Sequence, residues 1–67
     1  MDIRKKFGKR VRKYRLEKDL SQEELAHEAE SNRTYISDVE RGTRNPSIIV
    51  VERIALALDK SIGELLD

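Results

Sequence analysis

The 67 residues suffice for one small domain and exclude a multidomain chain. The chain has no cysteine and a single histidine, His27, which excludes disulfides, a thiol nucleophile and any metal site built on several histidines or thiolates. The formal net charge of +1 says nothing about partners, but its distribution does: residues 1–18 carry nine Lys/Arg against Asp2 and Glu17, and residues 19–31 carry five acids and no Lys/Arg. A basic segment of this kind suits an anionic partner, nucleic acid first, and suits a solvated helix surface equally well. No apolar run approaches membrane-spanning length, so a soluble cytoplasmic protein without a membrane partner is expected.

Ile3, Phe7, Val11 and Tyr14 recur at helical spacing and predict a first amphipathic helix, broken at Asp19-Leu20. Ser21-Gln-Glu-Glu24 has the capping-box pattern and opens a second, short helix with Leu25, Ala26 and Ala29 on its apolar face. Asn32 is a suitable N-cap for a third helix, which buries Ile36 and Val39 and stops at Gly42. Thr43–Pro46 reads as a loop. Ser47 caps a fourth helix with the apolar set Ile48, Val51, Ile54, Ala55 and Leu58, interrupted at Asp59-Lys60. Ser61-Ile-Gly-Glu64 repeats the capping-box pattern and opens a last turn that buries Ile62 and Leu65. No segment alternates with period two. The expected fold is all-α, a compact five-helix bundle forming one domain over residues 1–67.

The second and third helices are separated by three residues, the spacing of a helix-turn-helix. On a helical wheel of the third helix, Ile36, Val39 and Glu40 share one side, with Tyr35 at its edge. Arg33, Thr34, Ser37, Asp38 and Arg41 fall on the other, which therefore carries hydrogen-bonding side chains and no aliphatic ones. Such a face suits base edges in a major groove, and it suits water.

Three runs in order, Leu20-Ser-Gln-Glu-Glu-Leu-Ala26, Arg33-Thr-Tyr-Ile-Ser-Asp-Val-Glu-Arg-Gly42 and Arg44-Asn-Pro-Ser47, resemble the Cro/repressor-like (Xre-type) helix-turn-helix family over nearly the whole chain. Within it, Arg33-Thr-Tyr-Ile-Ser and Glu40-Arg-Gly-x-Arg-Asn look most like the controller proteins of restriction–modification systems. The resemblance implies a lambda repressor-like DNA-binding domain acting as a transcriptional regulator on double-stranded DNA, with residues 32–41 as the helix that enters the major groove. An interaction module of the antitoxin or anti-repressor type, built on the same fold, is the alternative. Enzymatic activity is not expected, because no nucleophile is paired with a base and no glycine loop could cradle a phosphate. No cofactor or metal is implied.

Arg33 is the first candidate for base contact, since its guanidinium fork fits guanine O6 and N7. Thr34 can offer a methyl or a hydroxyl, and Ser37 lies one turn further on the same face. Asp38 faces DNA acceptably only if it accepts from cytosine N4 or orients Arg33 or Arg41. Gln22 matches the family's glutamine that bonds a phosphate and supports recognition-helix side chains. Tyr35, Arg41, Arg44 and Asn45 are the other candidates for backbone contact, which positions without specifying. Arg15 and Glu40 match family positions that pair the first helix with the third. The family often has glycine where this chain has Asp19, Glu30 and Asp59. Ile49 and Val50 are apolar where the family is usually polar, and with Leu66 they are the expected homodimer surface. Two recognition helices would then sit about 34–36 Å apart on a pseudo-palindromic site.

Overall fold

Each of the five helices begins at a short polar side chain that accepts a hydrogen bond from the first turn, which settles donors a helix cannot satisfy internally. The computed structural model describes residues 2–67. Asp2 caps α1 (Ile3–Glu17), Ser21 caps α2 (Gln22–Glu28), Asn32 caps α3 (Arg33–Arg41), Ser47 caps α4 (Ile48–Leu58) and Ser61 caps α5 (Ile62–Leu66). Ser21 with Glu24, and Ser61 with Glu64, close reciprocal capping boxes. In both boxes the serine N–H bonded to the glutamate holds that carboxyl below its usual value. The sign follows from the direction: the caps contribute above the ordinary glutamate range and lose that contribution as pH falls through the lowered values.

The first four helices all stop in the same way. One left-handed residue follows each: Asp19 (φ 56°), Glu30 (φ 54°), Gly42 (φ 75°) and Asp59 (φ 57°). The next residue then donates its N–H back across the end of the helix. Leu20 bonds Arg15 O at 3.1 Å, Ser31 bonds Ala26 O at 2.7 Å, Thr43 bonds Asp38 O at 3.1 Å and Lys60 bonds Ala55 O at 2.9 Å. This six-to-one bond is the Schellman closure, and glycine adopts it without a Cβ penalty. Aspartate tolerates the left-handed region better than most residues. Glu30 has no such advantage, and it stands in the turn between α2 and α3.

Phe7, Val11, Leu25, Ala26, Ala29, Ile36, Val39, Ile54, Ala55, Leu58 and Leu65 form one core to which every helix contributes. α1 packs on α3, α4 and α5, and α2 packs on α3 and α4. The α1–α3 crossing is close at Gly8. A Cβ there would collide with the carbonyl oxygen of Val39 and lie 2.8 Å from that of Glu40.

Three expected core positions lie outside the core. Ile3 is 61% exposed, Ile48 80% and Ile62 38%, and Val51 is only half-buried. Ile3, Ile48 and Ile62 are each the first residue of a helix, where the side chain leans past the N-terminal end and beyond the neighbour that covers later turns. Ser31 and Lys60, the residues that follow two of the left-handed positions, each have a local contact. Ser31 uses its N–H in the turn, and Lys60 rests its ammonium 4.7 Å from the centre of the Tyr14 ring.

Glu30→Gly is expected to stabilise the domain by about 1 kcal/mol, because a left-handed non-glycine residue costs on the order of 1–2 kcal/mol and glycine gives some of this back as chain entropy. The lost Glu30–Arg53 contact, 3.9 Å and solvent-exposed, offsets little. Urea unfolding measures this, and an unchanged or lower midpoint would show that the turn is not strained.

Candidate nucleic-acid interface

The interface candidates depend on how α3 is held, and α3 is held by a buried charge. Arg15 of α1 reaches across the crossing. Its Nε donates to Glu40 Oε2 at 2.6 Å and its Nη2 to Glu40 Oε1 at 3.1 Å. The remaining edge, Nη1, donates to the Leu20 carbonyl at 2.7 Å in the link to α2. Gln22, the first residue of α2, donates its Nε2 to Glu40 Oε1 at 3.1 Å. The Arg15 side chain is 9% exposed and that of Glu40 is 3% exposed. Among the described residues, no buried side-chain nitrogen or oxygen lacks a partner. One carboxylate therefore ties α1, α2 and α3 in a fixed relation. A planar bidentate pair of this kind specifies geometry more surely than it adds net stability.

The opposite face of α3 is free. Arg33 and Thr34 are exposed, and Ser37 is half-buried. Among the described residues, the side chains of these three make no hydrogen bond or ion pair. Gln22, at the start of α2, is half-buried and engaged with Glu40.

Asp38 is differently placed from the three. Its carboxylate pairs with Arg41 one turn along through Oδ1, and with Arg44 of the following loop through Oδ2 at 3.4 Å. The Arg44 guanidinium lies over the Tyr35 ring, 4.4 Å from its centre. The Tyr35 hydroxyl accepts from the Ser47 N–H at 3.2 Å, which joins α3 to the start of α4 and leaves the phenolic proton free to be donated. Thr43 adds its own N–H and hydroxyl to the Asp38 carbonyl. The loop after α3 is thus pinned at several points, and Arg41, Arg44 and Asn45 remain exposed along it. Gly42 is required here for two reasons. Its φ is positive, and a Cβ would lie 2.7 Å from the Lys5 side chain.

The expected homodimer surface is unevenly exposed. Ile49 is 59% exposed, but Val50 and Leu66 are half-buried and pack against the core. Val50 is turned inward by the helix period, two residues past the outward Ile48. Leu66 shares a shallow groove with Ile3, Phe7, Pro46 and Val51. The apolar side chains that α4 leaves in solvent are Ile48, Ile49 and Leu56, the last 74% exposed. Sequence reasoning missed Leu56, although it lies seven residues from Ile49 and so on the same stripe. It also missed Gly8, whose role appears only when two helices are brought together.

A short second helix, a four-residue corner and a third helix whose inner face is locked and whose outer face is open define a helix-turn-helix domain in a five-helix, repressor-like bundle. Residues 11–65 match the helix-turn-helix family profile. The chain belongs to the Xre-type helix-turn-helix family. It is 52% identical over 67 residues to control protein C.BamHI of Bacillus amyloliquefaciens, covering 98% of this chain and 83% of that one. The crystal structure of the restriction-modification controller protein C.AhdI from Aeromonas hydrophila matches the fold with a TM-score of 0.89 at 45% identity, covering 92% of this chain and 90% of that one. SinR, the master regulator for biofilm formation, crystallised in complex with DNA, matches with a TM-score of 0.86 at 42% identity over 91% of this chain and 98% of that one.

Glu40→Ala is expected to destabilise the domain by roughly 3–5 kcal/mol, the cost of leaving one member of a buried pair without its partner. Glu40→Gln, which keeps one acceptor, should lose less. Thermal melts followed by circular dichroism would measure both, and a loss under about 1 kcal/mol for the alanine variant would assign the pair no structural weight.

Proposed function

We propose that this protein is a sequence-specific, double-stranded DNA-binding transcriptional regulator of the restriction–modification control type. The observation that carries the reading is the division of α3: Glu40 locks one face to α1 and α2, and Arg33, Thr34 and Ser37 stand unpaired on the other. In a major groove, Arg33 would read a base, with Thr34 and Ser37 beside it. Gln22, Tyr35, Arg41, Arg44 and Asn45 would meet the sugar–phosphate backbone. Asp38 belongs with this second group in effect, because its carboxylate is engaged with Arg41 and Arg44 and not with a base-reading side chain. The kinship with C.BamHI, C.AhdI and DNA-bound SinR supports the same reading.

One such module makes few base contacts, and a two-fold pair doubles them. We assign the homodimer contact to the outward face of α4 around Ile48 and Ile49, with Leu66 at its margin and Val50 left to the core. Contiguous exposed apolar side chains on a small polar domain mark an interaction surface.

Selection from a random duplex pool should enrich one pseudo-palindromic sequence. Against it, Arg33→Ala should cost on the order of 1–3 kcal/mol and flatten preference at one position per half-site. Arg44→Ala should weaken binding to the selected duplex without altering base preference, and shrink the salt slope by about one. Fluorescence anisotropy across a salt series reads all of this. Failure to enrich any sequence, with binding indifferent to salt, would favour the protein-interaction module instead. For the dimer, sedimentation should show Ile49→Lys shifted toward monomer relative to the parent chain, and an unchanged distribution would remove α4 from the interface.

A further inference from the structure

The basic residues that flank the recognition helix are not free. Asp38 divides its two carboxylate oxygens between Arg41 and Arg44, which approach from the helix and from the loop respectively. The backbone that carries this carboxylate is pinned at the end of α3. The Asp38 carbonyl takes the closing bond of the helix from Thr43 N–H and a second from the Thr43 hydroxyl. Its side chain is 20% exposed, whereas those of Arg41 and Arg44 are 64% and 43% exposed. Arg44 is further held by stacking on Tyr35. An anion therefore stands on the outward side of α3 and spends both oxygens on two cations, Arg41 and Arg44.

We infer that Asp38 is a specificity-determining residue: it holds Arg41 and Arg44 in one arrangement and so suppresses their use as free cations on DNA of arbitrary sequence. The inference rests on the DNA-binding reading above. A guanidinium has five N–H donors in a fixed fork, and each arginine commits one terminal nitrogen to Asp38. The other edge of each remains available, but only in the place that Asp38 and Tyr35 allow. A duplex on which α3 docks in its matched register meets those edges where they already are. A mismatched duplex is bound through phosphates alone. It must either accept the same fixed edges in a poor register or pull the arginines off Asp38. The carboxylate thus penalises the loose binding mode more than the docked one, which makes it a repulsive element serving discrimination.

Asp38→Asn tests this in the full-length chain, since the position is partly exposed and the amide preserves shape. The probes are the duplex selected by the parent protein and a random duplex of equal length, titrated across a salt series. On the random duplex, affinity at low salt should rise roughly tenfold and the log–log salt slope should steepen by about one to two, as one or two phosphate contacts are added. On the selected duplex the gain should be several-fold smaller, because the docked arginines already make their contacts there. The ratio of the two affinities should therefore fall. A second variant separates release of the arginines from simple removal of a repelling charge. In a chain that already carries Arg41→Ala and Arg44→Ala, adding Asp38→Asn should give no gain on random duplex. Equal gains on both duplexes, or a gain that survives loss of the arginines, would overturn the inference while leaving the DNA-binding reading intact. A parent protein that selects no sequence would overturn that reading itself, and this one with it.

Discussion

The arrangement of the helix-turn-helix depends on one buried carboxylate. Glu40 is the point at which α1, the α1–α2 link, α2 and α3 are held in common, through Arg15 and Gln22. Hydrophobic packing alone would hold α3 against the core with some freedom to roll, because Ile36 and Val39 define a face and not a rotation. A planar guanidinium bonded through two nitrogens to two oxygens removes that freedom. Gly8 sets the depth of the same contact, by letting the α1 backbone approach the Val39 and Glu40 carbonyls. Rotation and depth together decide where Arg33, Thr34 and Ser37 point.

The helix ends supply the second constraint. Four successive helices close with a left-handed residue and a six-to-one bond, and only one of the four residues is glycine. The turns are thus geometrically uniform and chemically unequal. Asp19 and Asp59 carry a modest penalty, Gly42 none, and Glu30 the largest, at the corner that sets the angle between α2 and α3. The domain tolerates this because the corner is fixed from both sides, by the Ser31 N–H on Ala26 and by the Asn32 cap on Tyr35.

Much of the architecture was legible in the sequence because its determinants are local. Ser21, Asn32, Ser47 and Ser61 announce helix starts through bonds that span three residues, and Leu25, Ile36, Ile54 and Leu58 announce the core through spacing. The family runs located the helix-turn-helix, and the inward position of Glu40 was readable from the wheel. What failed was everything that depends on where an element ends in space. Ile3, Ile48 and Ile62 satisfy the apolar period, yet each overhangs the first turn of its helix. Val50 departs from the family's polarity and still points inward. The link from Asp38 to Arg44 crosses a loop with no period, and the stacking of Arg44 on Tyr35 depends on the path of that loop.

The nine residues of α3 carry two separate vocabularies. Ile36, Val39 and Glu40 spell out the fold, and a change in any of them is felt by three helices. Arg33, Thr34 and Ser37 take part in no contact that the fold requires. The surface that meets an outside molecule can therefore be rewritten one residue at a time while the scaffold beneath it stays as it is. A lineage built on this domain could acquire a new target through three codons, so descendants could diverge in what they recognise long before they diverge in shape.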